Sequence, residues 1–483
     1  MYLKQITDSA LAQNAYLIGC QRTGEAIVID PQRDVDRYLE LAKTEGLRIV
    51  AVADTHIHAD YLSGARELVE RHGAVAYLSG EGGEEWQFEW ARSHAATRLL
   101  AGGDSFDIGN IRFEAVASPG HTPEHLSFLV TDRGGGASEA IALLSGDFIF
   151  VGDVGRPDLL ESAAGQEGAM EPSARSLFAS LRSTVELPEH LQILPGHGAG
   201  SACGKSLGAI PTSVLGYERR NNQALMQAMR GDEEQFVRDI LDGQPEPPRY
   251  FARMKQDNRR GPALLPEGKL PEPRRVSLAD VEAIRSEAVI LDLRSDRVAF
   301  ADAHVPGSLW APLGGGRLTV VAGSYLDAGT PILLVVNGED EVDEAVRQLV
   351  RVGYDELAGW IPAEEVLARA ATERFERIMT SELGRALAST PDGAVLDVRG
   401  VGEFVACQVH GATNIAHTRL AARADELPEG EPLFVHCGSG VRAMMAAPFL
   451  ARTGRKVVYV DGNFSDLPEE LVGRGAGAMP ALS

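Results

Sequence analysis

In the first half of the chain, successive short apolar runs end in side chains that bind metals, and this order restricts the fold more than any other feature. "RIVAVA" (48–53) is followed by His56, His58 and Asp60, and "RFEAVA" (112–117) by "SPGHTPEH", with His121 and His125. "AIALLSG" (140–146) leads to Asp147, and "LQILPG" (191–196) to His197. With "AIVID" (26–30), these runs predict strands bounded by Gly, Pro and Asp. Helical stretches at 36–45 and 62–72 fall between some of them, which predicts an α/β domain over residues 1–240. Loops at strand ends are where a rigid scaffold presents functional groups. Five of the twelve histidines lie in these loops, so a metal centre is expected there.

At 483 residues the chain is too long for a single core. Residues 241–275, with seven prolines and eight basic residues, read as an ordered arm or linker unable to sustain a helix. Beyond it the sequence repeats itself. "AVILDLRSDRVAFADAHVPGSLWAPL" (288–313) parallels "AVLDVRGVGEFVACQVHGATNIAHTRL" (394–420), and "ILLVVNGEDEVDEAVRQLVRVGY" (332–354) parallels "LFVHCGSGVRAMMAAPFLARTGR" (433–455). A spacing of roughly a hundred residues indicates a duplicated domain, placed at 276–365 and 375–475. Each copy reads strand, acidic-basic turn, strand, helix, which suits a small parallel sheet covered by helices.

A formal charge of −23 opposes binding to nucleic acid or anionic membranes. No apolar run reaches the roughly 18 residues needed to span a bilayer, and the first residues lack the pattern of a secretion signal. The expectation is a cytoplasmic homo-oligomer acting on a small molecule. The four cysteines, Cys20, Cys203, Cys407 and Cys437, are spread out with no C-x-x-C pair, unlike a disulfide framework. Cys437 follows a predicted strand, and its loop Cys-Gly-Ser-Gly-Val-Arg opens a helix. Small residues let backbone N–H groups curl around the sulfur, and the helix N-terminus adds partial positive charge. Both favour a thiolate able to carry a terminal persulfide, with Arg442 closing the loop. The first copy has Asn337 in that place, followed by Glu339, Asp340 and Glu341, and an amide cannot form a persulfide. Cys20 ends an apolar run and reads as structural, while Cys407 sits in a turn with no assigned role.

The set T-H-x-H-x-D, S-P-G-H-T, G-D and P-G-H-G over residues 1–240 resembles the metallo-β-lactamase fold family. That resemblance implies an αββα sandwich with metal in the cleft between two sheets. Members with two metals carry H-x-H-x-D-H, and here the last position is Tyr61. A phenol, with an ordinary pKa of about 10, is a poor neutral ligand. Asp60 and His197 then lack a third partner, and one metal is expected. Within the superfamily the chain resembles the persulfide dioxygenases, whose two histidines and one carboxylate correspond to His56, His121 and Asp147. Such a facial triad suits Fe(II), one per chain, with open positions for a low-molecular-weight persulfide and O₂. His58, Asp60 and His197 then stand behind the ligands or serve as alternative ones. "GDFIFVGDVGRPDLLE" (146–161) resembles the same branch and puts Arg156 near the substrate, unless Arg156 simply pairs with Asp153 or Asp158. "PGHGAGSACGKSLGAIP" (195–211) brings Cys203 towards the cleft, to receive or relay sulfur or to pack as a small side chain. Lys205 either attracts an acidic tail or is simply solvated.

The C-x₄-R loop, "LDVR" with Asp397 and Arg399, and "HGATN" (410–414) resemble a rhodanese sulfurtransferase domain. The phosphatase loop is one residue longer. The first copy resembles rhodanese in fold and is expected to be inactive. The overall expectation is an α/β protein, a metallo-β-lactamase αββα sandwich followed by two rhodanese-like domains with parallel sheets, similar to bacterial persulfide dioxygenase–rhodanese fusions. Persulfide would be oxidised to sulfite, and sulfite joined to sulfane sulfur on Cys437 as thiosulfate. The competing reading is a zinc-dependent thioester hydrolase of the glyoxalase II type fused to a rhodanese, with His58 among the ligands. A non-catalytic sulfur carrier is a third reading, opposed by the intact His56, His121 and Asp147 set.

Overall fold

The computed structural model describes residues 1–162, 168–205, 207–369 and 371–473. They form two compact units, Met1–Leu270 with Val350–Gly353, and Pro271–Leu349 with the chain from Tyr354 onward.

In the first unit one sheet runs in sequence order: β1 (Tyr2–Asp8), β2 (Gln13–Cys20), β3 (Glu25–Ile29), β4 (Arg48–Ala53), β5 (Val75–Ser79) and β6 (Thr97–Leu100). The second sheet contains β7 (Ser105–Ile108), β8 (Ile111–Ala117), β9 (Leu126–Asp132), β10 (Ala142–Gly146), β11 (Gln192–Pro195) and β12 (Ser213–Val214), in the order β12-β11-β10-β9-β8-β7. Alternation decides which faces meet. Tyr16, Ile18, Ile27, Ile29, Ala51 and Ala53 of the first sheet share a buried cluster with Phe113, Ala115, Phe128, Val130 and Leu144 of the second. The intervening residues, such as Leu17, Val28 and Val52, turn outward beneath helices Asp36–Thr44 and Ala65–His72. Leu143 and Ile193 likewise meet Leu177, Phe178 and Leu181 of helix Met170–Ser183. The result is an αββα sandwich, in which each such buried aliphatic or aromatic group contributes roughly 1.5–3 kcal/mol.

The opening residues, for which no element was read from the sequence, form the β1–β2 hairpin, and β2 is buried on both faces. The arm at 241–275 was expected to hold no helix, yet Phe251–Arg260 is one. The arm's seven prolines all lie outside the helix, Pro248 and Pro262 nearest its two ends, and buried Phe251 and Met254 anchor it.

In the second unit β13 (Val289–Asp292), β14 (Leu309–Trp310), β15 (Ile332–Val336) and β16 (Leu357–Pro362) form a parallel sheet ordered β14-β13-β15-β16. The later lobe contains β17 (Glu376–Met379), β18 (Ala394–Asp397), β19 (Gln408–Val409), β20 (Thr413–Asn414), β21 (Leu433–His436), β22 (Val457–Asp461) and β23 (Val472–Gly473). Its main sheet, β17-β22-β21-β18-β20, repeats the first lobe's order and adds β17 at one edge, while β19 and β23 form a separate ribbon. β15 and β21 are buried throughout, as parallel strands covered on both faces must be. The repeated acidic-basic turn is a clamp: Arg294 donates two-pronged to Asp292, and Arg399 to Asp397. Each turn leads into a short helix, Arg297–Asp302 or Val401–Ala406, which the sequence reading did not anticipate. Among the described residues no helix is long and apolar enough to cross a membrane.

Candidate metal centre and sulfur loop

The loops after β4, β8 and β10 bring His56, His121 and Asp147 together, all but fully buried. Asp147 Oδ2 lies 3.5 Å from His121 Nε2 and 3.9 Å from His56 Nε2, and it has no hydrogen-bond partner among the described residues. A buried carboxylate oxygen left bare beside two imidazole nitrogens is the arrangement a cation would complete.

The groups behind the triad set which nitrogen faces inward. His121 Nδ1 donates to the Arg156 carbonyl at 2.9 Å, which leaves Nε2 as a lone pair. Thr55 Oγ1 donates to Asp30 Oδ2 and so accepts from His56 Nδ1 at 2.9 Å, with the same consequence. Burial, reinforced by the neighbouring histidines, holds His56 well below its ordinary value, hence neutral as a ligand must be. His125 accepts the Asp147 N–H at Nε2 and contacts Ser118 Oγ through Nδ1, so it supports the loop rather than joining the triad. Gly146, just before Asp147, has φ +50°, and a Cβ there would lie 2.6 Å from Thr55 Oγ1 and 2.7 Å from His125 Nε2. Only glycine fits.

The other expected residues form two adjacent clusters. His58 turns its Nε2 to Asp30 Oδ1 at 3.2 Å, within an Asp30–Asp54–His58 group. Burial opposes charge on His58, but Asp30 outweighs it and raises the imidazole to about 9. Tyr61 stacks on His58 at 4.4 Å, and its hydroxyl donates to the Asp30 carbonyl. Asp60, His197 and Cys203 form the second cluster. Cys203 thus supplies a third donor beside Asp60 and His197, which the sequence reading left without one. Although burial disfavours it, the carboxylates of Asp147 and Asp60 hold His197 as an imidazolium, well above its ordinary value. Arg156 is buried, with Nε and Nη2 donating to Asp158 and further bonds to the Ala202 and Pro245 carbonyls. Its guanidinium braces a loop, and its own carbonyl orients His121.

In the later lobe Cys437 is buried at the end of β21, and Gly440 caps helix Val441–Arg452. Arg442 donates two-pronged to Glu403 at 2.5 and 2.8 Å, and Glu403 first, then the Cys437 sulfur, raises its guanidinium. Glu403 escaped the sequence reading because its partner lies 39 residues away. In the first lobe Asn337 donates instead to Glu341, at 2.7 Å through its amide side chain. Cys20 accepts from the Asn110 N–H at 3.3 Å, a structural contact.

Comparison with known proteins agrees with this architecture. The metallo-beta-lactamase superfamily matches residues 8–197, and the rhodanese-like domain matches residues 380–469. The crystal structure of a metallo-beta-lactamase from Staphylococcus aureus subsp. aureus COL is 39% identical, with 75% of this chain and 99% of that one covered and a TM-score of 0.64. The beta-lactamase hydrolase-like protein of Agrobacterium fabrum is 28% identical over 56% of this chain, which spans 62% of that relative's length. Persulfide dioxygenase ETHE1, mitochondrial, of Bos taurus is 29% identical over 40% of this chain and 67% of its own length. The chain belongs to the metallo-β-lactamase superfamily and carries a rhodanese-like domain in its C-terminal region.

Proposed function

We propose that the first unit is an iron-dependent persulfide dioxygenase and that the later lobe is a sulfurtransferase using its product. The observation that carries this reading is the converging set of His56 Nε2, His121 Nε2 and Asp147 Oδ2, with His58 turned onto Asp30 instead. Two imidazoles and one carboxylate leave adjacent positions open, the ligand pattern of non-haem Fe(II) oxygenases. Ferrous iron held there would supply the redox chemistry that uses O₂. The chain's own groups prepare the site: Thr55 and the Arg156 carbonyl aim the imidazoles, and His197 fixes Asp147. The balanced reaction is RSSH + O₂ + H₂O giving RSH and sulfurous acid, which ionises to sulfite. At Cys437, the thiolate takes the terminal sulfur of a persulfide and releases its thiol, RSH, and the Cys437 persulfide so formed passes that sulfur to sulfite, giving thiosulfate and freeing the thiolate.

In this reading residues 1–240 form the oxygenase and 375–475 the active rhodanese. Residues 276–365 form a rhodanese-like lobe that is silent because Asn337 replaces the cysteine. The similarity to bovine persulfide dioxygenase supports the oxygenase assignment. The test is product analysis of the holoprotein with a synthetic low-molecular-weight persulfide under air, with sulfite and thiosulfate expected and both absent under argon. The second reading, a zinc thioester hydrolase, is favoured by one observation, the Asp60–His197–Cys203 cluster, which would take a second cation only with His197 deprotonated and turned from Asp60. It predicts thioester hydrolysis independent of O₂.

A further inference from the structure

The sulfur loop is braced from outside its own lobe. Gly440 adopts φ +85°, and a Cβ there would lie 2.5 Å from Asp461 Oδ1, 2.7 Å from the Tyr459 hydroxyl and 3.3 Å from Arg297 Nε. The Tyr459 hydroxyl stands 3.2 Å from the Gly440 carbonyl and 2.8 Å from Asp461 Oδ1. Arg297 donates from Nε to Tyr459 Oη at 3.1 Å, and from Nε and Nη2 to Asp461 Oδ1 at 3.1 and 3.0 Å. Tyr459 and Asp461 are buried, whereas Arg297 comes from helix Arg297–Asp302 of the lobe that holds Asn337. That lobe also stacks Tyr325 on Phe449, in the helix that follows the sulfur loop, at 4.6 Å and 12°.

Charge explains why a cation is needed. Asp461 is a buried carboxylate touching the loop whose N–H groups must hold anionic sulfur. Left uncompensated, it would oppose that anion and draw the loop's donors towards itself. Of the two Asp461 oxygens Arg377 reaches Oδ2, at 3.5 Å, and the oxygen that faces Gly440, which also accepts the Gly462 N–H, is matched in charge by Arg297.

We propose that Arg297 is a positioning residue for sulfur transfer at Cys437: the cysteine-less lobe supplies the cation that fixes Asp461 and Tyr459 beneath Gly440 and keeps the loop's N–H groups aimed at the sulfur. This rests on the sulfurtransferase reading and gives the silent lobe a task within it.

The test uses the full-length holoprotein and its Arg297→Gln, Arg297→Lys and Tyr459→Phe variants. Sulfur transfer from thiosulfate to cyanide is measured with separate kcat and KM. Alkylation of Cys437 by iodoacetamide at pH 7 is followed by peptide mass spectrometry. Arg297→Gln should lower kcat roughly tenfold, as loss of alignment does, leave the KM for thiosulfate within about twofold and slow the alkylation. Arg297→Lys should recover much of both, Tyr459→Phe should lower kcat in the same direction, and O₂ uptake with persulfide should be unchanged. Wild-type kcat and alkylation in Arg297→Gln would overturn the proposal, as would equal loss in both Arg297 variants with Tyr459→Phe fully active. A wild-type protein with no sulfur transfer at all would defeat the sulfurtransferase reading, and the alkylation comparison would still judge the role of Arg297.

Discussion

His197 stands between two carboxylates, its Nδ1 2.8 Å from Asp147 Oδ1 and its Nε2 2.8 Å from Asp60 Oδ2. By occupying Oδ1 it commits Asp147 to present Oδ2 to His56 and His121. His197→Ala should therefore loosen the triad without removing any of its members. Bound metal and O₂ uptake should fall by about 10- to 100-fold, the usual cost of losing a group that orients a ligand. Sulfur transfer at Cys437 should persist. Metal analysis and both assays on one preparation check this.

Cys437→Ser removes the thiol of the sulfur loop, the group that would carry the persulfide. Thiosulfate formation from persulfide should be abolished while sulfite continues to appear. Loss of both products in a folded protein would mean that the two activities are not divided as proposed.

Gly146→Ala places a methyl group against Thr55 and His125 at a left-handed φ. Destabilisation of about 1–3 kcal/mol is expected from the strain, with a matching loss of metal. An unchanged urea midpoint with full metal content would contradict the close packing described.

Much of the site was legible because metal-binding residue types recur at strand ends, and the runs at 48–53 and 112–117 match β4 and β8 to within a residue. Asp147 and His197 could be paired only in three dimensions, since 50 residues separate them. Arg156 could be read two ways from its type, as an anion ligand or as the partner of an acidic neighbour, and Asp158, two positions on, holds it in a buried pair. The helix Phe251–Arg260 was hidden because proline content was averaged over the whole arm, although the prolines flank the helix. Thr55 and Asp30 gave no signal, because a residue that aims a ligand needs no motif of its own.

His417 sits near Arg442, and burial, then that cation, pushes its imidazole down from 6.5 to about 3. Below about pH 6.5 the unfolded chain binds a proton that the folded chain refuses. This contribution to stability is therefore intact above pH 6.5 and falls by about 1.4 kcal/mol per pH unit on the way towards pH 3. His417→Gln should flatten that acid slope relative to wild type in urea titrations from pH 7 to 4. Parallel slopes would show that His417 titrates normally.

Metal stoichiometry read together with O₂ consumption tests the central claim most directly. Purified protein is analysed for metals, then mixed with a low-molecular-weight persulfide in an oxygen electrode. One iron per chain, with one O₂ consumed per sulfite equivalent formed, is the predicted result. Two zinc ions per chain and no O₂ uptake would contradict it.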